Sequence, residues 1–477
     1  NGDSGNDILY GGEGVDLLQG GDGNDTLDGD QGNDTLEGGD GNDTYIHSAG
    51  NDTISDSYSS SGGTDKISFE AGITISNLTL FRSGNALQIL VSDGSSITIS
   101  NQYNSSFPRA IESLQFADGS SYALDSTHQV EIRGTSSDDT LNGNSLGASI
   151  NDLIYGYDGN DTISAKTGDD IVYGGDGNDT LNGEDGNDSL YGDAGSDTLN
   201  GGNGDDTIDG GSDADTIDGG AGNDNILGGY GNDIIYGKAG NDTISAGDGD
   251  DIIYEVYSGT DVIDGGAGVD TLDYSGASSY RVTINLQTGI QSDSNSTPSS
   301  DTVSGIENVI GGSGNDTMTG SDVANILQGG SGNDAIYGQG GNDTLKGDAG
   351  TDTLRGEDGN DLLYGGSGLD TLYGGLGADA FVFEAASAFS NVDVIKDFST
   401  SQGDKLDIKD LLVGYDPLTS AITDFLQITT SGSNSIVKVD RDGTGTSYAL
   451  SQISTIEGVT GITDEQALLT NGNLIVA

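Results

Sequence analysis

Apolar residues recur along this chain every nine positions, each two places after an acidic one, as in GEDGNDSLY, GDAGSDTLN and GGNGDDTID. Counting from the first Gly of a unit, the sixth place is acidic and the eighth apolar, whereas the seventh and ninth are mixed. That period is too short for a helix pair. It predicts a tight turn followed by a strand of about three residues with one side chain inward. Two units make one coil, so units one apart face opposite edges and units two apart stack on the same edge.

Three in-frame runs carry the pattern. The first spans Gly2 to Ser55, with sixth places at Asp7, Asp16, Asp25, Asp34, Asp43 and Asp52. The second spans Gly147 to Tyr254, with Asp152, Asp161, Asp170, Asp179, Asp188, Asp197, Asp206, Asp215, Asp224, Asp233, Asp242 and Asp251. Asp139 precedes it across an insertion, and Asp261 and Asp270 follow after a slip of one residue. The third spans Gly311 to Val382, with Asp316, Asn325, Asp334, Asp343, Asp352, Asp361, Asp370 and Asp379. The eighth place is apolar throughout, from Leu9 and Leu18 through Ile208 and Ile217 to Leu372 and Phe381, which predicts a thin inward ladder. Gly holds the fourth place except at Ser137, Ile150, Asp213 and Val323, as expected where the backbone needs positive φ and inward carbonyls.

Between the runs the pattern changes. Residues 56–132 alternate instead, with Ile73, Ile75; Leu87, Ile89, Val91; Ile97, Ile99; then Leu114 and Phe116, which predicts a small antiparallel β insert. It is read as a spacer, since Tyr103, Phe107 and Tyr122 make a poor glycan platform. Residues 274–310 predict a hairpin, from Val282, Ile284 and Leu286, and a Ser-rich loop around Pro298.

Composition narrows the chemistry. The 477 residues include 83 Gly and carry a formal charge of −65, so without counter-ions the chain should stay expanded. With 14 Lys and Arg, nucleic acid and anionic membranes are poor partners, and cations are the natural ones. No apolar run approaches the roughly 18 residues of a membrane span. There is no Cys, which removes disulfides and thiolate zinc sites. One aliphatic per unit buries too little to offset backbone ordering of about 1 to 2 kcal/mol per residue. Folding must draw on metal binding.

Calcium suits these residues. It takes six to eight hard oxygens at about 2.3 to 2.6 Å in adaptable geometry, and two stacked turns supply two carboxylates and several carbonyls. The short Asp arm keeps the carboxylate inside the turn, and magnesium would need a smaller octahedron. One ion per stacked pair gives about 20 ions. The competing reading, in which Asp only caps turns, must explain 28 Asp among 29 sixth places. Sites near Ile150, Val323 and Asn325 are expected to be loose or empty.

The runs resemble the RTX family of proteins, exported by Gram-negative type I secretion systems. The resemblance implies an all-β fold: a calcium-loaded parallel β-roll, a form of β-solenoid. The resemblance also implies a chain that is unfolded at cytosolic calcium and folds outside the cell. On this reading the roll has three blocks, 1–55, 133–273 and 311–382. Inserts interrupt it at 56–132 and 274–310, and a C-terminal cap closes it at 383–477. The first insert, through ISNLTLFRSGNALQILV, SITISNQY and AIESLQFADGSSYAL, resembles the haemolysin-type calcium-binding-related domain. VSGIENVIGGSGND resembles re-entry into a repeat block, while DVIKDF and GDKLDIKDLL resemble the cap of type I secretion substrates. The closing NGNLIVA is similar to the uncleaved secretion signal of large RTX adhesins, and a terminal helix at Asp464 to Leu469 with a last strand accounts for the same residues structurally.

Catalytic chemistry finds no motif. His47 and His128 are far apart and read as surface residues. DRDGTG, Asp440 to Gly445, opens like an EF-hand loop but has Ser451 in the twelfth place, so it predicts a hairpin turn. Ice binding would need a regular Thr array, and Thr167 is alone at the third place. The resemblance therefore implies a non-catalytic, secreted module, extracellular or on the bacterial surface, monomeric in isolation, whose partners are calcium and, during export, the type I machinery. It is read as the C-terminal end of a large adhesin active in cell adhesion and biofilm. The alternative is the calcium-binding tail of an RTX protease, lipase or alginate epimerase. The chain opens inside a repeat and its single Met is Met318, so upstream domains are expected and would decide between them.

Overall fold

The computed structural model describes all residues except 56–62, 84–85, 101, 103–110, 125–130, 144–150, 256–258, 277–280, 294–299, 390, 444 and 446–447. Expectations for Tyr103, Phe107, His128, Ile150 and Pro298 therefore lie outside the described residues. The chain forms two compact units, Asn1–Ser212 and Asp213–Ala477. Each is a parallel β-roll, and the only α-helix among the described residues is Glu465–Thr470, N-capped by Asp464 through the Ala467 N–H at 2.9 Å.

In the first unit, strands from alternate repeats stack in two ladders. Leu153–Asp158, Ile171–Asp176 and Ser189–Ala194 pair in parallel on one side, and Thr162–Thr167, Thr180–Asp185 and Thr198–Asn203 on the other. The pairing places eighth-place residues in register, Ile154 on Val172 on Leu190 and Ile163 on Leu181 on Leu199. All six are buried, because the neighbouring seventh- and ninth-place side chains point outward in a strand.

The 56–132 segment contains the antiparallel pairs its alternation predicts, Leu78–Ser83 with Ala86–Val91 and Ala86–Val91 with Ser96–Ile99. The same segment also extends the roll. Ser96–Ile99 pairs in parallel with Asn51–Ile54, and Lys66–Ser68 with Thr44–Ile46. Leu27, Tyr45, Ile67 and Leu114 consequently share one buried cluster with Leu87 and Ile89. The insert's apolar face has no separate core to fill.

In the second unit a register of apolar residues runs from Ile217 through Ile235, Ile253, Leu272, Val309, Leu327, Leu345, Leu363 and Phe381 to Leu406 and Leu474. It crosses the 274–310 interruption, where Val282–Asn285 and Ile290–Asp293 form the predicted hairpin. It then enters the cap. There Asp393–Ile395 and Lys405–Asp407 pair in parallel with the last coils, and Leu426–Ser431, Asn434–Val439 and Ser451–Ile456 form an antiparallel sheet. Asp440 to Gly443 turn between two of these paired strands, the placement expected for a hairpin rather than a helix-flanked loop.

Candidate metal centre

The stacking brings each sixth-place Asp against the one two repeats away. Asp179 adjoins Asp197: the Asp179 N–H donates to Asp197 Oδ1 at 2.7 Å. The same bond joins Asp161 to Asp179 and Asp170 to Asp188 in the first unit, and Asp334 to Asp352 and Asp343 to Asp361 in the second, all at 2.7 to 2.8 Å. One oxygen of each carboxylate is thereby committed to a ladder running along the roll edge. All the Asp residues proposed as ligands are buried except Asp7, Asp16 and Asp139, which are half-buried.

The second oxygen turns inward. Oδ2 of Asp25, Asp34, Asp161, Asp170, Asp179, Asp188, Asp233, Asp251, Asp334, Asp343, Asp352, Asp361 and Asp379 is buried and accepts no hydrogen bond. It faces the first-place residue, where a further oxygen converges. A β-carbon placed on Gly347 would stand 2.6 Å from Asp352 Oδ2 and 2.5 Å from the Gly365 carbonyl oxygen. One such orphaned acceptor costs about 1 to 3 kcal/mol, and more when charged. An ionised ladder of them is untenable without a compensating cation.

The electrostatics say the same. Burial pushes Asp170, Asp242 and Asp379 up to about 7, and Asp188, Asp334, Asp343 and Asp361 to about 6, against the lowering effect of the ladder hydrogen bonds. Asp352 rises to about 8 through burial and then the nearby Asp370, Asp334 and Asp348. Asp370 and Asp393 are both raised, by burial and, for Asp393, by the Asp370 charge.

Among the described residues no three His, Cys, Asp or Glu side chains converge. An ion here would be held by one or two carboxylate oxygens and several backbone carbonyls. That all-oxygen set fits calcium and offers nothing to a soft metal.

The turn backbone explains the glycines. Gly177 has φ of 143°, and a β-carbon there would strike the Gly159 carbonyl of the stacked turn, so in this turn the fourth place needs both the conformation and the space. Asp213, in the second unit, takes that place with φ of 74°. Asn325 keeps the ladder, its N–H donating to Asp343 Oδ1 at 2.8 Å, while its amide donates to the Glu307 carbonyl at 2.7 Å.

Several residues escaped the nine-residue frame. Asp65, Glu112, Asp301, Glu307, Asp393 and Asp404 continue the ladders: Asp65 accepts from the Asp43 N–H at 2.6 Å, Asp301 from Asp261 at 2.9 Å and Asp404 from Asp379 at 3.2 Å. Each keeps the acid-x-aliphatic signature, as in GTDKI, IESL and GDKL, without the full nine-residue unit around it. The fifth-place Asn residues form a second, outer ladder, with the Asn178 N–H on Asn160 Oδ1 at 2.8 Å. Their recurrence was visible in the repeat. His47, expected at the surface, is instead buried: its ring lies 5.1 Å from Phe69 and Nε2 is 2.7 Å from Ser95 Oγ, because the 56–132 segment packs over it. Burial lowers its pKa.

Family comparison agrees with the repeat that builds these turns. The family model of the RTX calcium-binding nonapeptide repeat matches residues 1–54, 150–254, 257–276 and 301–381, more than half of the chain. The haemolysin-type calcium binding protein related domain matches residues 87–126. No curated protein matches the chain. Among solved structures, the AlgE6R3 subunit of the mannuronan C5-epimerase from Azotobacter vinelandii is 27% identical over 34% of this chain and 78% of its own, with a TM-score of 0.21. The extracellular lipase LipA from Serratia marcescens is 14% identical over 98% of this chain and 40% of its own, with a TM-score of 0.15.

Proposed function

This chain belongs to the RTX family, the proteins built on the calcium-binding nonapeptide repeat, and on that premise we propose that it is a non-catalytic module that folds on meeting extracellular calcium. The observation that carries the reading is the row of buried Asp Oδ2 atoms with no hydrogen-bond donor. At the low calcium of a cytosol those carboxylates repel one another and the chain stays open, which suits passage through a narrow export channel. Outside, where calcium modules bind at about 10⁻⁴ to 10⁻³ M, the ions neutralise the turns and the roll closes.

Type I export with the C-terminus leading is the proposed route, and the end of a large surface adhesin the proposed context. The cap supports this order of events, since Asp393–Ile395 and Lys405–Asp407 offer parallel edges to the last two coils. It would fold on emergence and template residues 311–382. The module's contribution is the same if the parent is an RTX enzyme. Deleting 383–477 should abolish export from a strain carrying a type I system and raise the calcium midpoint of folding of the remaining chain. Undiminished export with an unchanged midpoint by circular dichroism would sink the proposal.

A further inference from the structure

The inner oxygen of the sixth-place side chain has two fates, and the second-place residue separates them. Most second places have positive φ. This holds for Gly175 (111°) and Gly229 (112°), and also for Tyr157 (79°), Lys166 (88°), Glu184 (77°), Gln339 (74°) and Glu357 (73°), side chains that rarely adopt that region. In the corresponding turns Oδ2 of Asp179, Asp233, Asp161, Asp170, Asp188, Asp343 and Asp361 accepts no hydrogen bond. Ser48, Thr135, Gly312 and Ser321 are second places outside that region. Each donates to its own turn. Thr135 gives Asp139 Oδ2 its N–H at 2.6 Å and its hydroxyl at 2.9 Å. Ser321 gives Asn325 Oδ1 its N–H at 2.8 Å and its hydroxyl at 3.3 Å. Gly312 gives Asp316 Oδ2 its N–H at 3.2 Å, and the Ser48 hydroxyl lies 3.4 Å from Asp52 Oδ2.

The geometry points to two classes of turn: open turns that take calcium, and closed turns at Asp52, Asp139, Asp316 and Asn325 that take none. This rests on the calcium reading above. A closed turn has donor hydrogens where the cation would sit, so an ion would have to displace them and face their positive ends. The left-handed second place is what keeps the donor out of an open turn, which is why residues as unsuited to it as Tyr157 and Lys166 are held there. The closed turns stand at block edges: Asp52 ends the first run, Asp139 precedes the second, and Asp316 and Asn325 open the third. They are seams that hold together without metal, so the coils beside the inserts can form before the ions arrive. The calcium count falls below one ion per stacked pair accordingly.

A crystal structure of the full chain grown in calcium, with anomalous difference density read turn by turn, tests this. Density is expected about 2.3 to 2.6 Å from Oδ2 of Asp179, Asp343 and Asp352, and none at Asp52, Asp139, Asp316 or Asn325. Density in both classes overturns the division and leaves the calcium reading standing, whereas no density anywhere overturns both. The double variant Ser321→Gly with Asn325→Asp should gain one ion at residue 325. If its second place becomes left-handed and the turn still holds no ion, the second place is not the determinant.

Discussion

Remove the calcium and vary only the pH, and the buried carboxylates should decide whether the chain folds. Nine of them, Asp170, Asp188, Asp242, Asp270, Asp334, Asp343, Asp352, Asp361 and Asp379, are raised in the folded state from 3.8 to between about 6 and about 8, mainly by burial. Because the folded pKa is the higher one, the metal-free fold binds more protons than the unfolded chain across this window. Its stability is therefore greatest below about 4 and falls as pH rises through 6 to 8. At about 1.4 kcal/mol per unit, each group costs roughly 3 to 6 kcal/mol once ionised. Even a third of that, summed over nine groups, is about 11 kcal/mol, as large as the roughly 5 to 15 kcal/mol that holds a typical domain together. Protein stripped of metal by dialysis should show β-type circular dichroism at pH 5 and lose it by pH 8, and calcium should restore it at pH 8. A decalcified chain fully folded at pH 8, or one that unfolds in acid instead, would refute the reasoning.

Other perturbations have distinct signatures. Leu345→Ala empties a fully buried step in the apolar register and should cost about 2 to 5 kcal/mol in urea unfolding at saturating calcium, with the calcium requirement retained. Asp343→Asn keeps an acceptor for the Asn325 N–H but removes the charge that would meet the ion, so the calcium midpoint should rise severalfold with little effect on the folded β signal. Gly177→Ala meets both a φ of 143° and the Gly159 carbonyl, and a loss of about 1 to 3 kcal/mol is expected in the same urea assay.

The repeat made much of the roll legible because two of its places are bound by geometry to different tasks. A lone aliphatic at place eight can only point inward, and a carboxylate two residues before it can only sit at the turn. The stacking of Asp179 on Asp197 follows from the alternation of edges, and it is what the backbone does. What stayed hidden followed rules that the motif's glycines obscure. Asp65, Glu112 and Asp404 hold ladder positions without the full turn signature, because the ladder bond needs only a carboxylate in register. The second place looks variable, holding Gly, Asp, Tyr, Lys, Gln or Glu in the open turns, because those turns share a left-handed backbone conformation there and not a side chain. The burial of His47 is not legible in its own repeat, because its cover comes from Ser95, 48 residues away.

Calcium-driven folding is tested most directly by titrating calcium into the decalcified full chain at neutral pH, following circular dichroism and small-angle scattering together, with a chelator reversal. The β signal and the radius of gyration should change in one concerted transition between about 10⁻⁴ and 10⁻³ M calcium, and both should reverse on chelation. A compact chain whose β content is the same in chelator as in calcium would contradict the account.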